Sequence, residues 1–452
     1  MSGVGRGRWV AWLVVVGVVL AALNLRAAVT STGAVLHEIS AGLEMPGALS
    51  GLLTTLPVVC FAVFGAGTPW LARRVGEQRL LVVALGLIAV GLLARAVVGS
   101  AWPFLALSVV ALAGIALGNV LLPTLIKRHF PAKTGVMMTV YATSLAVGTM
   151  LGAALTLPIE RAAGGSWRVG LGVWASMALI AAVPWIAVLR DNPKQDHEGA
   201  YAGPRTLVRS RLAWAIAGYF GTQGLLAYVL FGWLLQVLLD GGYTEDQAGL
   251  VLGVFTALSI PSSLVIPALT ARMRNVRKLV ALFCTLYAVG FAGLLTDHAL
   301  WGSAIVVGIA MGGFPMALAL LPLRTRTAEG TAALSGFAQS VGYLIAGVGP
   351  LMIGLLYDAT GGWTWPFAVL FAVVAAQLAT GWYAGADRVL EDEIHEEEIH
   401  EKEIHEKEIY EEEIQAHAVP DEIGEEPDKD RSQTKVATRG DLTSPRATTD
   451  QE

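Results

Sequence analysis

The sequence predicts an all-helical membrane protein: twelve transmembrane helices in two six-helix bundles, followed by an acidic tail. Three observations carry this. The chain of 452 residues is 54% hydrophobic, only 15% charged, and has a mean hydropathy of +0.59, far too apolar for a soluble globular protein. Its apolar residues come in runs of about twenty, the length that crosses ~30 Å of hydrocarbon. Basic residues are concentrated on alternate connections. Counted over the N-terminus and loops, 19 Lys and Arg fall on one side and two, Arg161 and Arg168, on the other. Such a bias marks the cytoplasmic side. Both termini are therefore expected in the cytoplasm, which requires an even number of spans.

The spans are predicted at 9–35, 48–71, 79–99, 102–126, 134–158, 168–189, 212–238, 247–270, 278–296, 299–323, 331–356 and 364–385. Span 1 is too long for the apolar core of a signal peptide. It carries Arg26 in "NLR", about 26 Å up the helix from Trp9 at 1.5 Å per residue. That arginine either snorkels to the outer headgroups or faces a cavity, where a charge inside a span is tolerated. Thr30, at i+4, shares its face, whereas Asn24 points elsewhere and is expected to bond a neighbouring helix. The loop after span 2 holds Arg73, Arg74 and Gly76. Span 4 offers Asn119 in apolar surroundings and ends at Arg128.

Span 5 offers Tyr141 and a seam of Ser144, Gly148 and Gly152, whose four-residue spacing lets helices approach closely. The polar stretch 190–211 is expected to link the two halves. Span 7 presents Tyr219 and Gln223 on one face, with Tyr228 displaced by ~140°. Pro261 and Pro267 in span 8, and Phe314–Pro315 in span 10, mark candidate bends. Span 11 carries a polar stripe, Ser335, Gln339, Tyr343 and Gly347, as either interhelical glue or a cavity wall. Cys60 and Cys284 sit in apolar runs and read as packing residues.

The halves repeat one another. Pro69, Leu71, Arg74, Arg79 and Leu81 match Pro267, Leu269, Arg272, Arg277 and Leu279 at an offset of 198, and Arg128 matches Arg324 at 196. A duplicated six-span unit with a cavity between the copies is a transporter architecture. The predicted division is 1–189 for the first bundle, 190–211 for the linker, 212–385 for the second bundle, and 386–452 for the tail.

The basic loop "GTPWLARRVGEQR" resembles the loop between spans 2 and 3 of the major facilitator superfamily, with Arg73 where that family usually places Asp. "NLRAAVTS", "GNVLLPTLIKRHFP", "QSVGYLIAGVGPLMIG" and "YDATGGWT" are similar to its cyanate permease and nitroimidazole-transporter branch. The resemblance implies the major facilitator fold and transport of a small anionic or polar organic solute. It supports Arg26 as an anchor for an anion. Thr30, Asn119, Tyr141, Gln223, Tyr228, Gln339 and Tyr343 are the remaining candidate solute contacts. Arg73, Arg74, Gly76, Arg128, Arg272 and Arg324 are the candidate gating residues, with Arg74 and Arg272 expected to cap helix carbonyls or pair with an acid.

Drug or metabolite efflux on the same fold, and a membrane sensor built on a transporter body, are the alternatives. An enzyme is not expected, because no P-loop, H-E-x-x-H motif or Cys/His cluster occurs in the spans. No cofactor and no nucleic acid are expected. The expected partners are the solute, the bilayer, and protons or a counter-transported solute, with the protein acting as a monomer in the cytoplasmic membrane. No Asp or Glu lies deep in a predicted span, so a proton would have to use a peripheral acid.

Charge divides the chain. Residues 1–385 hold 23 Lys and Arg against 13 Asp and Glu, a balance of +10, and residues 386–452 hold 8 against 23, a balance of −15. In the tail, Ile394, Ile399, Ile404, Ile409 and Ile414 recur every five residues. That step spirals around a helix and makes no apolar stripe, so a low-complexity tail, disordered or partly helical, is expected. With nothing apolar to dock, it reads as dispensable.

Overall fold

A computed structural model describes residues 3–190, 204–296 and 299–417. Among them are twelve helices long and apolar enough to cross a membrane. In order they are span 1 Arg8–Ala34, span 2 Leu49–Val75, span 3 Glu77–Val97, span 4 Ala101–His129, span 5 Pro131–Ala162 and span 6 Trp167–Leu189, then span 7 Arg211–Asp240, span 8 Glu245–Arg272, span 9 Arg277–Leu295, span 10 Leu300–Leu323, span 11 Ala328–Thr360 and span 12 Thr364–Ala384. Most of the predicted 190–211 connection lies outside the described residues; its end, Pro204–Arg209, is helical.

Packing repeats with a period of six spans. Span 1 packs on spans 5 and 6, and span 7 packs on spans 11 and 12; span 3 packs on 4 and 6, and span 9 on 10 and 12. The halves meet through spans 2 and 11 and through spans 5 and 8. Small residues make the closest approaches. A side chain on Gly148 would run into the backbone of Leu23, and one on Gly152 into Thr30 and Ala27. The span 5 seam therefore seats span 1, as its spacing predicts. Gly221, Gly342 and Gly349 do the same between spans 7 and 11.

Spans 8 and 10 are broken. Span 8 comprises helices Glu245–Ala257 and Ser259–Arg272, and span 10 comprises Leu300–Ala310 and Gly313–Leu323. The breaks, at Leu258 and at Met311–Gly312, each lie beside the carbonyl four residues before a proline, that of Ala257 before Pro261 and that of Met311 before Pro315. The ring supplies no N–H to that carbonyl and clashes with it. Pro57, Pro123 and Pro350 lie inside continuous helices, so proline alone does not decide. Span 10 has Gly312 and Gly313 beside its break, and glycine raises the cost of continuing the helix.

Part of the tail is helical, one of the two forms expected, but the first residue of that helix is packed. Leu390–His417 is one α-helix, and Leu390 is fully buried. Residues 418–452 lie outside the described residues.

Candidate functional site

Arg26 is half-buried and faces the second half of the chain. Its guanidinium lies over the Phe314 ring, 5.6 Å from the centroid, and sits against the Tyr343 hydroxyl. Its charge also reaches the hydroxyls of Tyr141 and Tyr228. Spans 1, 5, 7, 10 and 11 thus converge on one cation. Aromatic rings form the wall: Phe61 lies 4.8 Å and Phe220 5.4 Å from Tyr343, and Phe220 lies 5.8 Å from Phe314, centroid to centroid. The Tyr141 hydroxyl is buried and has no hydrogen-bond partner. The ion pairs among the described residues do not include Arg26. The cluster offers a forked cation, phenolic hydroxyls and flat apolar rings. A small solute with one anionic or acceptor edge fits that chemistry.

The other candidates divide. Gln339 and Tyr343, on the span 11 stripe, both face the first half: Gln339 Nε2 donates to the Asn119 carbonyl at 3.2 Å. Thr30 shares the Arg26 face, but its hydroxyl donates to the Arg26 carbonyl at 3.0 Å, a bond within the helix. Asn24 donates to the Trp174 carbonyl at 3.1 Å, the interhelical role expected of it. Gln223 is fully buried inside the second half. It donates to the Tyr287 hydroxyl at 2.8 Å and accepts from Gln377, so its polar atoms are engaged away from Arg26. The ~140° between Gln223 and Tyr228 separates these two environments on one helix.

The basic loops gather at one end of the bundle, the basic end. There Arg128 makes a bidentate pair with Glu77, at 2.8 and 2.9 Å, and a 2.6 Å bond to Glu329 of span 11. Lys127 donates to the Pro322 carbonyl at 3.0 Å. Both contacts with span 10–11 residues cross between the halves at this end. Arg324, the repeat partner of Arg128, does something different. It is buried and donates to the carbonyls of Ala384, Gly385 and Arg274, each at 3.1 Å. At the offset of 198, Glu77 corresponds to Asn275, so Arg324 lacks the counterpart of the carboxylate that Arg128 meets, although Asp387 lies within its electrostatic reach. Arg74 stacks on Trp70 of its own helix at 4.0 Å, and Arg272 is exposed. Among the described residues, neither bonds to a helix carbonyl or pairs with an acid, the two roles expected.

The family model described as Major Facilitator Superfamily matches residues 14–295 and, overlapping them, 223–416. The chain belongs to the major facilitator superfamily. An uncharacterized transporter of Bacillus subtilis, YycB, is 35% identical over 385 residues, 84% of this chain and 94% of that protein. The 2-nitroimidazole transporter of Escherichia coli is 33% identical over 83% of this chain and 96% of its own. The cyanate transport protein CynX of Escherichia coli is 30% identical over 78% and 93%. Among solved structures, the proton:xylose symporter XylE superposes with a TM-score of 0.68 at 13% identity, covering 86% of this chain and 99% of that one. That likeness shows the fold.

Arg73 stands where the resemblance places an aspartate, and the carboxylate that meets Arg128 is that of Glu77, just past Gly76. Gly76 holds φ +91° between spans 2 and 3, a conformation that favours glycine. Two features escaped sequence reading. Glu329 looks like an ordinary acidic first-turn residue until the fold places Arg128 beside it. Arg95, near the end of span 3, is a second arginine inside an apolar run. It is 3% exposed and donates to the Thr32 hydroxyl at 2.9 Å. The criterion that singled out Arg26 applies equally to "LLARAV".

Proposed function

We propose that this protein is a secondary transporter that moves a small anionic or polar organic solute across the cytoplasmic membrane by alternating access. The observation that carries the reading is Arg26, set between the halves among Tyr141, Tyr228, Tyr343 and Phe314. A cation at depth is stabilised by water, carbonyls or an anion, and the solute supplies the anion. The names of the relatives, a 2-nitroimidazole transporter and a cyanate transport protein, agree with a small solute presenting an acceptor edge to a guanidinium.

The basic end faces the cytoplasm, in keeping with the charge bias of the loops. The protein works as a monomer, coupled to protons or to a counter-transported solute. The bonds of Arg128 and Lys127 across the halves seal the cytoplasmic side while the solute enters from the opposite one. Rocking of the halves along the span 2–11 and 5–8 contacts then breaks that seal. Two experiments test this. A thermal-shift screen of cyanate, nitrate, small carboxylates and nitroimidazoles identifies a ligand, and its flux into proteoliposomes follows. Absence of flux for every compound in a broad panel would favour a sensor built on this body.

A further inference from the structure

The segment after span 12 is woven into the basic end. Leu390 is fully buried, and its N–H donates to the Arg324 carbonyl at 2.9 Å. The Glu391 carboxylate accepts from the Arg326 and Thr327 N–H groups, at 2.9 and 3.0 Å, and from the Thr327 hydroxyl at 2.9 Å. Those groups immediately precede span 11, where N–H groups lack helical partners and the helix dipole is positive. The Glu393 carboxylate does the same for span 7. It accepts from the Arg211 N–H at 2.6 Å, the Leu212 N–H at 3.2 Å and the Ser210 hydroxyl at 3.3 Å. Asp392 pairs with Arg326 at 2.8 Å. Gly330 leaves the room that Glu391 occupies, since a side chain there would collide with that carboxylate.

Spans 7 and 11 carry Tyr228 and Tyr343 of the candidate site, and span 11 begins beside Glu329, the partner of Arg128 across the halves. Glu391 also lies within electrostatic reach of Lys127 in the first half. We propose that Leu390–Glu393 is a clasp that holds the basic ends of spans 7 and 11 in the closed arrangement. Glu391 and Glu393 are positioning residues for transport. The clasp ends one residue after Asp392, so the chain beyond it is not needed for this role.

The test reads conformation directly and needs no identified solute, so it stands apart from the solute reading. A reporter cysteine replaces Ala332, buried one turn inside span 11, and is labelled with an impermeant maleimide from the basic side in oriented vesicles. The protein lacking the reporter gives the background from Cys60 and Cys284, both buried.

The Glu391→Gln/Glu393→Gln double variant is expected to label about tenfold faster, as loss of charged caps predicts. Glu391→Asp with Glu393→Asp, which keeps the charge, should recover part of the closure. Truncation after Asp387 should match the double variant, and truncation after Glu398 should match the full chain. If the double variant loses monodispersity, the two single variants are read instead, each expected to label about threefold faster. Unchanged labelling in the folded double variant, or in both single variants, would overturn the clasp. So would equal effects of the two truncations.

Discussion

Tyr141 and Arg95 show how burial sorts polar side chains in this bundle. Arg95 is enclosed, yet it spends hydrogen bonds on the Thr32 hydroxyl and the Ala28 carbonyl, which ties span 3 to span 1. The Tyr141 hydroxyl is enclosed beside Arg26 and bonds to nothing. An unsatisfied buried hydroxyl costs about 1–3 kcal/mol. Tyr141→Phe is therefore expected to keep or raise the melting temperature while weakening solute binding, roughly three- to tenfold for one lost hydrogen bond. Thermal unfolding and ligand titration on the same preparation check both signs. A fall in stability would mean that the hydroxyl has a structural partner, and unchanged affinity would remove it from the site.

Span 10 links packing to the site at the next scale. Its break at Met311–Gly312 turns the following helix so that Phe314 covers Arg26. Behind the break, the Tyr287 hydroxyl donates to Met311 Sδ at 3.3 Å, and Gly313 fits against Gln223. The Met311 carbonyl accepts from the Phe314 N–H at 3.0 Å; Pro315→Ala offers it the regular helical donor four residues on and removes the steric clash. The helix should straighten, Phe314 should shift, and solute affinity should fall with no loss of thermal stability. Unchanged affinity would show that glycine and tertiary packing set the bend unaided.

The twelve spans were legible because hydrocarbon demands long apolar runs with every backbone bond made internally. The break in span 10 was half legible: Pro315 marked a candidate bend, but Pro57 and Pro123 look alike in sequence and leave their helices continuous. Gln223 and Tyr228 shared a helix and a chemistry, and only packing showed which of them looks at Arg26. The contacts at the start of the tail were not legible, because Leu390, Glu391 and Glu393 meet helix ends far away in sequence. Composition registers only the tail's acidity.

Across the whole molecule, the duplication explains both the architecture and the place where symmetry fails. Arg128 and Arg324 end equivalent helices, but Arg128 bridges the halves and Arg324 is locked among carbonyls of its own. Arg128→Gln should lower the melting temperature, because the buried Glu77 carboxylate loses its bidentate partner, and, unlike Arg324→Gln, should raise labelling of a buried cysteine from the basic side. Arg324→Gln should also lower the melting temperature, because buried carbonyls lose a charged donor worth roughly 1.5–3 kcal/mol. The reverse pattern of labelling would reassign the two roles. Everything proposed about transport turns on Arg26 as the group that holds the solute. The most direct measurement is the affinity of the wild-type protein's transported solute for Arg26→Lys and Arg26→Ala, with expression and monodispersity as controls. Lysine keeps the charge but loses the fork, so its affinity should fall between the other two. Alanine should lose about ten- to a hundredfold. Wild-type affinity in a folded Arg26→Ala protein would contradict the anchor and leave Arg26 as a cation that serves only the membrane surface.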